Sequence, residues 1–533
     1  MSEPVVIGLD VGTGGARAIA ADATGDVVAE SNAPIPAPES PFAGASEQDA
    51  ETWWRAAVDC LNRVVREAKG RRIAGISVDS TSGTIVPVDE QNRALRPALM
   101  YNDRRAGAEA DELNEAGAEL TARMGYRFNS SYGLAKVLWL LRHEPERVPA
   151  RFLNAADFTA ARLACGAHTD YTNALKMGYD LVNDRWPPWL ESVGVPVERL
   201  PGVHATGAVV GEVGGSACEE TGVPAGTPVA IGATDGVAAF YASGASRAGE
   251  AVTTLGTTLV VKSVSDALLR DPLGRLYCHR HADGGWLPGG ASNCGGGYLD
   301  AFFPGEDLSR LTDEARRFLP CSVLLYPLPK RGERCPAVNP DAERFVTAEP
   351  SGRAEHFAAY LQGMAFVERW TYDVISELGG EATGTVFTSG GGSANDVWMQ
   401  LRADVLGRET ARTASPSSAF GSAVLAASHT LFKSVSEAAA AMAVEQHAAD
   451  LGLDRLQILG SRDRGQQVQV PATHVQQVGQ GQPQAAQHVT RHRLGQQFQI
   501  ERAATQPLGR PFGREGIDKV LHARHVAAHQ QDQ

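Results

Sequence analysis

The sequence has few cysteines and a deficit of basic residues, and both features narrow what the protein can be. Only seven of the 533 residues are cysteine, and no two form a Cys-x-x-Cys pair or have the spacing of a metal site. A disulfide framework is therefore not predicted, and reduced thiols favour a cytoplasmic location. Lysine and arginine number 49 against 62 acidic residues, so the formal net charge is −13. This balance argues against a nucleic-acid partner.

Membrane-spanning runs and the common phosphate-loop motifs are also missing. No apolar run reaches the length of a membrane span, and the first residues, "MSEPVVIGLD", lack the order of a signal peptide. We therefore expect no membrane partner. Neither GxGxxG nor GxxxxGK[ST] occurs at the first glycine-rich turn, which argues against the Rossmann and P-loop folds there. With 43% hydrophobic residues, a chain of this length predicts two or more domains.

The first 23 residues predict a β-hairpin with a glycine-rich turn. Val5 to Leu9 and Ala16 to Ala21 have strand character, and the chain between them reads "DVGTGG". Backbone N–H groups in such a turn can approach an anion, while the Asp10 carboxylate and the Thr13 hydroxyl suit a metal ion. A plain glycine turn with an incidental aspartate is the alternative interpretation.

The same arrangement of strand, polar turn and strand or helix recurs along the chain. A helix over 51–69 leads to a strand that ends at "DSTSGT", and an apolar strand ends just before Asp235. The segment "LGTTLVV" then repeats the pattern of the first hairpin, and "VFTSGGGSANDVWMQLRADVLG" is a strand, three glycines and a helix. Two similar hairpins predict two related domains with a cleft between them.

Eight segments resemble, in the same order, those of the FGGY carbohydrate kinases, which have an actin-like, ribonuclease-H-like ATPase fold. They cover about residues 5–427 and read "GLDVGTGGARA", "DSTSGT", "TDYTNALKMGYD", "GATDGVAAFYASGA", "LGTTLVV", "GGASNCGGGYL", "PLPKRGERCP" and "GGGSANDVWMQLRADVLG". Within the family, the forms "GTGGAR", "DSTSGT" and "ALKMGY" are most similar to the D-ribulose kinases, which are often labelled xylulokinase-like.

The resemblance implies an α/β protein with two actin-like (ribonuclease-H-like) ATPase domains and a cleft between them. The expected N-terminal, sugar-binding domain is 1–242, and the expected C-terminal, nucleotide-binding domain is 243–444. Residues 445–533 are rich in Gln, His and Arg and poor in large apolar residues. They are predicted to form a disordered, low-complexity tail.

The resemblance also implies roles for individual residues. Asp235 matches the catalytic base that accepts the proton of the sugar hydroxyl, and Ser82 matches a sugar-binding position. Asp10 is expected near the sugar and near Mg²⁺, bound directly or through water. ATP is expected to bind to two phosphate turns and an adenosine segment, whose matching residues are Asp10, Gly12, Thr13, Gly14, Gly256, Thr257, Thr258, Gly390, Gly391, Gly392 and Asn395.

Purely structural interpretations are alternatives to several of these roles. Asp235 suits a helix N-cap, and Ser82 suits a turn residue that bonds its own backbone. Lys136 is predicted on the solvated face of a helix. The pair of His279 and His281 is predicted at exposed strand positions, because no acidic or thiol partner has a suitable spacing.

The predicted reaction is phosphorylation of a terminal hydroxyl of a ketopentose, D-ribulose before D-xylulose. The loop "STSGT" has small hydroxyl residues, which suit a neutral sugar better than gluconate. It lacks both the Arg-Glu pair expected of glycerol kinases and the Gln-Met-His sequence typical of xylulokinases and gluconokinases. Another polyol kinase of this family is an alternative, as is a non-catalytic actin-like sensor of sugar or nucleotide. The chain is expected to act as a monomer or homodimer.

Overall fold

The structure is a computed structural model that describes residues 3–164, 166–413, 415 and 417–443. The predicted tail, 445–533, lies outside the described residues. Two six-stranded sheets dominate the described part of the chain. The first contains β1 (Val5–Val11), β2 (Gly15–Asp22), β3 (Val27–Pro34), β4 (Ile73–Ser80), β5 (Val209–Glu212) and β6 (Pro228–Ala230). The second contains β7 (Ala251–Leu255), β8 (Leu259–Ser263), β9 (Tyr277–Arg280), β10 (Trp286–Ser292), β11 (Val386–Ser389) and β12 (Thr410–Arg412).

Five of the six strands have the same topology in both sheets. The strand order is β5-β6-β4-β1-β2-β3 in the first and β9-β10-β8-β7-β11-β12 in the second. In each, three antiparallel strands adjoin two parallel ones: β3, β2 and β1 with β4 and β6, and then β10, β8 and β7 with β11 and β12. An extra antiparallel strand adds to one edge of each sheet. The prediction of two related domains from the repeated hairpin is confirmed.

Six helices position the site. They are α1 (Ala50–Glu67), α2 (Tyr171–Lys176), α3 (Asp235–Tyr241), α4 (Arg353–Glu377), α5 (Asp396–Leu406) and α6 (Ser418–Ala427). Helix α1, predicted over 51–69, begins after Asp49, whose side chain accepts a hydrogen bond from the Glu51 N–H. It leads the chain from β3 to β4, as α4 leads the second sheet towards β11.

Shorter elements complete the described fold. The other α-helices are Gly107–Ala116, Ala118–Met124, Gly133–His143, Ala155–Ala164, Trp189–Ser192, Gly215–Thr221, Gly297–Phe302, Leu308–Ala315 and Val435–Ala443. The 3₁₀ turns are Val197–Arg199, Arg316–Phe318 and Gly391–Ala394. Small sheets are formed by Glu47–Gln48, Ala98–Leu99, Ile85–Val88 and Arg151–Asn154, by His168–Asp170 with Gly202–His204, and by Leu325–Tyr326 with Phe345–Val346.

Helix α6 comes late in the chain but packs against the first sheet, where it contacts β1, β4 and α3. Glycines make this approach close enough. A Cβ atom at Gly8 would lie 1.9 Å from the Ala419 carbonyl oxygen, and one at Gly421 would lie 1.8 Å from the Ala238 carbonyl oxygen. Backbone therefore rests directly on backbone, and no larger residue fits at either position.

Two of the sequence predictions concern disulfide bonds and membrane spans. All six described cysteines are free thiols, four of them in the second half of the chain. None of the described helices is both long enough and apolar enough to cross a membrane.

The contact between β1 and α6 predicts a large effect of Gly8→Ala. The added methyl group would also lie 2.2 Å from the Ala423 nitrogen, so helix and strand must separate. We expect a loss of about 1–3 kcal/mol in the free energy of unfolding, measured with urea, because overpacking a rigid contact costs that much. Gly107→Ala, which meets no atom within 4 Å at the start of a helix, is the control and should leave stability unchanged or slightly raised. Equal stability of the two variants would contradict the close contact.

Candidate active site

Three neighbouring parallel strands of the first sheet end beside acidic residues. Asp10 near the end of β1 is the register partner of Asp79 on β4. Thr234, just beyond β6, bridges to Ser80 at the end of β4, and Asp235 follows it. The carboxyl ends of adjacent parallel strands are where α/β folds commonly bind ligands. The fold thus brings Asp10 and Asp235, which are 225 positions apart in the sequence, to one edge of a sheet, with Asp79 beside them.

Asp235 is the first residue of α3, and Thr234 occupies the N-cap position. The N-cap interpretation of Asp235 is therefore wrong. One carboxylate oxygen, Oδ1, accepts a 2.6 Å hydrogen bond from the Gly236 N–H. Burial raises the pKa of Asp235, the Gly236 hydrogen bond partly opposes that rise, and the Asp10 carboxylate adds to it. The result is a more basic carboxylate than an exposed aspartate, as a general base requires.

Helix α2 fixes the backbone immediately before Asp235. Asp170 caps α2 by accepting hydrogen bonds from the backbone N–H groups of Thr172 and Asn173. The Asp170 carboxylate also accepts a hydrogen bond from the Thr172 hydroxyl. The Thr172 oxygen in turn accepts a 2.8 Å hydrogen bond from the Thr234 N–H. The segment "TDYTNALKMGYD" thus holds the segment "GATDG" through buried polar groups.

Asp10 and Asp79 form a pair that two serines of α6 hold from behind. The Ser422 hydroxyl donates a 2.5 Å hydrogen bond to Asp79 Oδ2, and Ser418 hydrogen-bonds with Asp10. Burial raises the pKa of Asp79 well above its ordinary range, and the adjacent Asp10 carboxylate adds to the rise. Burial also raises the pKa of Asp10, although its hydrogen bonds oppose that effect. Burial and the closeness of two carboxyl groups therefore both favour the neutral form of Asp79.

Buried lysines approach the same edge. Lys176, the last residue of α2, donates a 2.7 Å hydrogen bond from Nζ to the Ser82 hydroxyl. Lys262 on β8 lies 3.2 Å from Nδ1 of His279 on β9. Electrostatic interactions link both ammonium groups to the Asp235 carboxylate. Burial lowers the pKa of Lys262 to about 8 and also lowers that of Lys176.

The predicted exposure of three basic residues is wrong. Lys136 is completely buried, and its Nζ donates 2.9 Å hydrogen bonds to the carbonyl oxygens of Gly83 and Ser130. It therefore holds the loop that carries Ser82. His279 and His281 are buried as well, at 4% and 3% exposure. β9, which carries His279, packs against α2, a contact that periodicity over four residues could not reveal.

The two hairpin turns have open backbone at the predicted phosphate positions. In the first, the Gly12 N–H bonds the Gly15 carbonyl, while Gly14 is exposed and a Cβ there would meet nothing within 4 Å. Gln48 secures the turn by donating a 2.9 Å hydrogen bond to the Thr13 carbonyl. The Thr13 side chain remains partly exposed.

The second hairpin turn rests on the glycines that follow β10. The Gly256 N–H bonds the Thr258 carbonyl, and the N–H groups of Gly296 and Gly297 bond the carbonyls of Gly256 and Thr257. Thr257 is exposed. Both predicted turns therefore offer a hydroxyl group and backbone to a ligand.

The third glycine cluster joins β11 to α5. Gly390 has φ of +86°, and a Cβ there would lie 2.5 Å from the Leu255 carbonyl oxygen, so glycine is required. Gly391 faces open space, whereas Gly392 packs on the ring of Trp398. The Asn395 side chain caps α5 through the Trp398 N–H and donates to the Thr312 hydroxyl. Both bonds use the side-chain amide that the sequence analysis assigned to the adenosine segment.

The residues at this edge fit a magnesium ion that arrives with its nucleotide. Among the described residues, no three His, Cys, Asp or Glu side chains are grouped so that they could hold a metal ion. Mg²⁺ at phosphate-transfer sites usually takes one or two carboxylates and completes its shell with water and phosphate oxygens. The partly exposed Asp10 carboxylate, next to the Thr13 turn, is of that kind.

Sequence analysis missed four residues of this site. Asp79, Lys176, Lys262 and His279 were not assigned to it. Asp79 had a usable signal, since it ends a strand in the same way as Asp10 does. Lys176 lies within the quoted segment "ALKMGY", but only the fold shows that its amine reaches Ser82. No local sequence pattern around Lys262 or His279 indicates that they belong to the site.

Comparison with known proteins identifies the family. The model for the N-terminal domain of the FGGY family of carbohydrate kinases matches residues 5–242, and the model for the C-terminal domain matches 251–430. A gluconokinase from Bacillus subtilis (strain 168) is 26% identical over 447 residues, which are 79% of this chain and 86% of that protein. A xylulose kinase from the same strain is 26% identical over 440 residues, or 79% and 87% of the two chains.

Solved structures of carbohydrate kinases are also similar to this chain. The crystal structure of xylulose kinase from Rhodospirillum rubrum has a TM-score of 0.73 and 28% sequence identity, covering 82% of this chain and 92% of that one. Gluconate kinase from Lactobacillus acidophilus, at 20% identity, has a TM-score of 0.72 over 82% and 92% of the two chains and shows the fold alone. This chain therefore belongs to the FGGY family of carbohydrate kinases, with their two-domain actin-like fold, and is a phosphotransferase that acts on an alcohol group of a sugar.

Proposed function

We propose that the protein transfers the γ-phosphoryl group of ATP to the terminal hydroxyl of D-ribulose and forms D-ribulose 5-phosphate. The observation that carries the proposal is the position of Asp235. Its carboxylate lies at the start of a helix, and electrostatic interactions link it to Asp10 and to Lys176, which donates a hydrogen bond to Ser82. A sugar hydroxyl in this space would meet a single strong base. D-xylulose is the second choice among acceptors.

In this proposal Asp235 accepts the proton of the sugar hydroxyl as its oxygen attacks the γ-phosphorus. Burial supports that role because it raises the pKa of Asp235 and so strengthens the base. The Asp10 carboxylate would lie near the attacking oxygen, and the raised pKa of its partner Asp79 favours a neutral carboxyl group there, which would limit the negative charge that meets the nucleotide. Magnesium, when bound near Asp10, would neutralise charge on the transferring phosphoryl group.

The nucleotide is proposed to lie along the three glycine-rich turns. Gly12, Thr13 and Gly14 would contact the γ-phosphate, and the turn of Gly256, Thr257 and Thr258 would contact the neighbouring phosphates. Open backbone at Gly14 and Gly391 leaves room for close approach. The adenosine would lie against Gly390, Gly391 and Gly392, next to Asn395.

Two observations bear on the acceptor. Ser82 accepts a hydrogen bond from Lys176, which leaves its own O–H free to donate to a sugar oxygen. The relatives described above are called gluconokinase and xylulose kinase, so acceptors of five or six carbons are the natural range to test. We further propose that the enzyme is cytoplasmic, which the unpaired described cysteines support. We also propose that it is a monomer or a homodimer.

Replacing the proposed base should abolish turnover without loss of nucleotide binding. We expect Asp235→Asn to lower kcat by about a hundredfold or more, in the range ascribed to a positioned general base. Binding of MgATP, measured by calorimetry, should stay within a few-fold of the unaltered protein. Asp49→Asn, a change at the exposed N-terminus of α1 where asparagine caps equally well, is the control. Activity of Asp235→Asn within a few-fold of normal would remove Asp235 from its role.

A panel of acceptors tests the substrate. ADP release from MgATP is measured with D-ribulose, D-xylulose, L-ribulose, glycerol and gluconate, and without sugar to detect hydrolysis of ATP. We expect the highest kcat/KM with D-ribulose, because the Ser82 loop offers hydrogen bonds to a small hydroxylated chain. A higher value with another acceptor would keep the chemistry and correct the substrate. Binding of ATP with no turnover on any sugar would favour the sensor interpretation.

A further inference from the structure

Two lysines at the acceptor site lack the carboxylate partners that buried lysines usually have. Lys176 and Lys262 are both largely buried. Within the described residues, neither ammonium group has an Asp or Glu oxygen within 4.0 Å. Buried lysines are rarely left unpaired, because removing a charge from water is costly unless another group compensates for it.

Each ammonium group also has hydrogen-bond donors to spare. An ammonium group carries three N–H donors and no acceptor. Lys176 uses one on the Ser82 hydroxyl, and Lys262 uses one on the His279 ring. The remaining donors have no oxygen or nitrogen acceptor among the described residues, although the Lys176 ammonium also lies 5.8 Å from the centre of the Tyr132 ring.

The packing of α2 against β9 brings the two lysines to the same space. Helix α2, which ends at Lys176, contacts β9, and the Arg280 guanidinium lies 5.0 Å from the centre of the Tyr171 ring. Lys262 and His279 lie on the neighbouring part of the second sheet. Both lysines interact electrostatically with Asp235, yet neither contacts it. A gap therefore separates the carboxylate from the two cations.

The groups around this gap are mainly hydrogen-bond donors. Lys262 donates to Nδ1 of His279, so the neutral imidazole carries its proton on Nε2. Ser82 accepts from Lys176 and has its own O–H left to donate. Away from Asp235, the free donors of these groups outnumber the one lone pair that the Ser82 oxygen has left, and the part of a ligand that fits them best is one that only accepts hydrogen bonds.

We propose that Lys176 and Lys262 bind an sp² oxygen of the acceptor, a carbonyl or a carboxylate, at the end remote from the hydroxyl that is phosphorylated. The enzyme then selects 2-ketoses or aldonates and rejects alditols of the same length. This inference rests on the proposed kinase function and deepens it. An alditol hydroxyl at that place adds a further proton to a site that already has an excess of N–H donors, whereas a carbonyl or carboxylate oxygen brings only lone pairs.

The test compares three five-carbon acceptors that differ at the remote end. D-Ribulose carries a carbonyl, D-ribonate a carboxylate and ribitol only hydroxyl groups. We expect kcat/KM for the better of D-ribulose and D-ribonate to exceed that for ribitol by tenfold or more. The two arms distinguish the source of the oxygen. A preference for D-ribonate would assign a carboxylate, and a preference for D-ribulose would assign a carbonyl.

Two variants connect the selectivity to the lysines. Lys262→Met and Lys176→Met keep the length of the side chain and remove its charge, and we expect each to reduce the preference over ribitol by tenfold or more, mainly through KM. Lys433→Met, at an exposed position, is the control and should keep the preference. Circular dichroism and Tm establish that the variants are folded.

Calorimetric binding of the three acceptors keeps this inference separate from the kinase proposal. Tighter binding of D-ribulose or D-ribonate than of ribitol, lost in Lys262→Met, would support the role of the lysines even if no acceptor were phosphorylated. Ribitol bound or phosphorylated as well as the other two would overturn it. So would folded variants that keep the full preference.

Discussion

The docking of α6 against β1 and β4 is the contact on which the rest of the site depends. It places Ser418 and Ser422, one helical turn apart, behind Asp10 and Asp79. Asp79 is buried at this contact and Asp10 is partly buried, and the hydrogen bonds of the two serines offset part of the repulsion between the adjacent carboxylates. The contact requires a bare backbone at Gly8. Because α6 belongs to the later part of the chain and β1 to its start, the acidic edge is complete only when both have folded together.

The charges around Asp235 are arranged as phosphoryl transfer requires. Acidic groups lie at the ends of the parallel strands, cations enter from α2 and from the second sheet, and glycine turns leave open backbone for phosphate. Such transfer needs little covalent help from a protein and depends on positioning and on stabilising charge. The buried Lys136 extends this arrangement, because it fixes the backbone at Gly83, next to Ser82, which is proposed to contact the sugar.

Much of the fold could be predicted from the sequence because its signals are local. The strand patterns and glycine turns at Asp10 and Gly256 predicted two hairpins, and the similarity of the hairpins predicted two related domains, whose sheets share five strands of one topology. The cations at the site could not be predicted in this way. Lys176, Lys262 and His279 are buried by elements distant in sequence, so no local period distinguishes them from solvated residues. At Asn395 the sequence motif suggested a contact with the ligand, but it did not predict that the side-chain amide also caps a helix.

A crystal structure of the protein with D-ribulose and a non-hydrolysable ATP analogue tests the central claim most directly. The account predicts that the terminal hydroxyl of the sugar lies about 2.6–3.2 Å from an Asp235 carboxylate oxygen, the distance of a base that can accept its proton. It also predicts the γ-phosphate on the far side of that hydroxyl, next to the Thr13 turn. A sugar bound with its terminal hydroxyl away from Asp235, or a nucleotide bound away from the three glycine turns, would contradict the account.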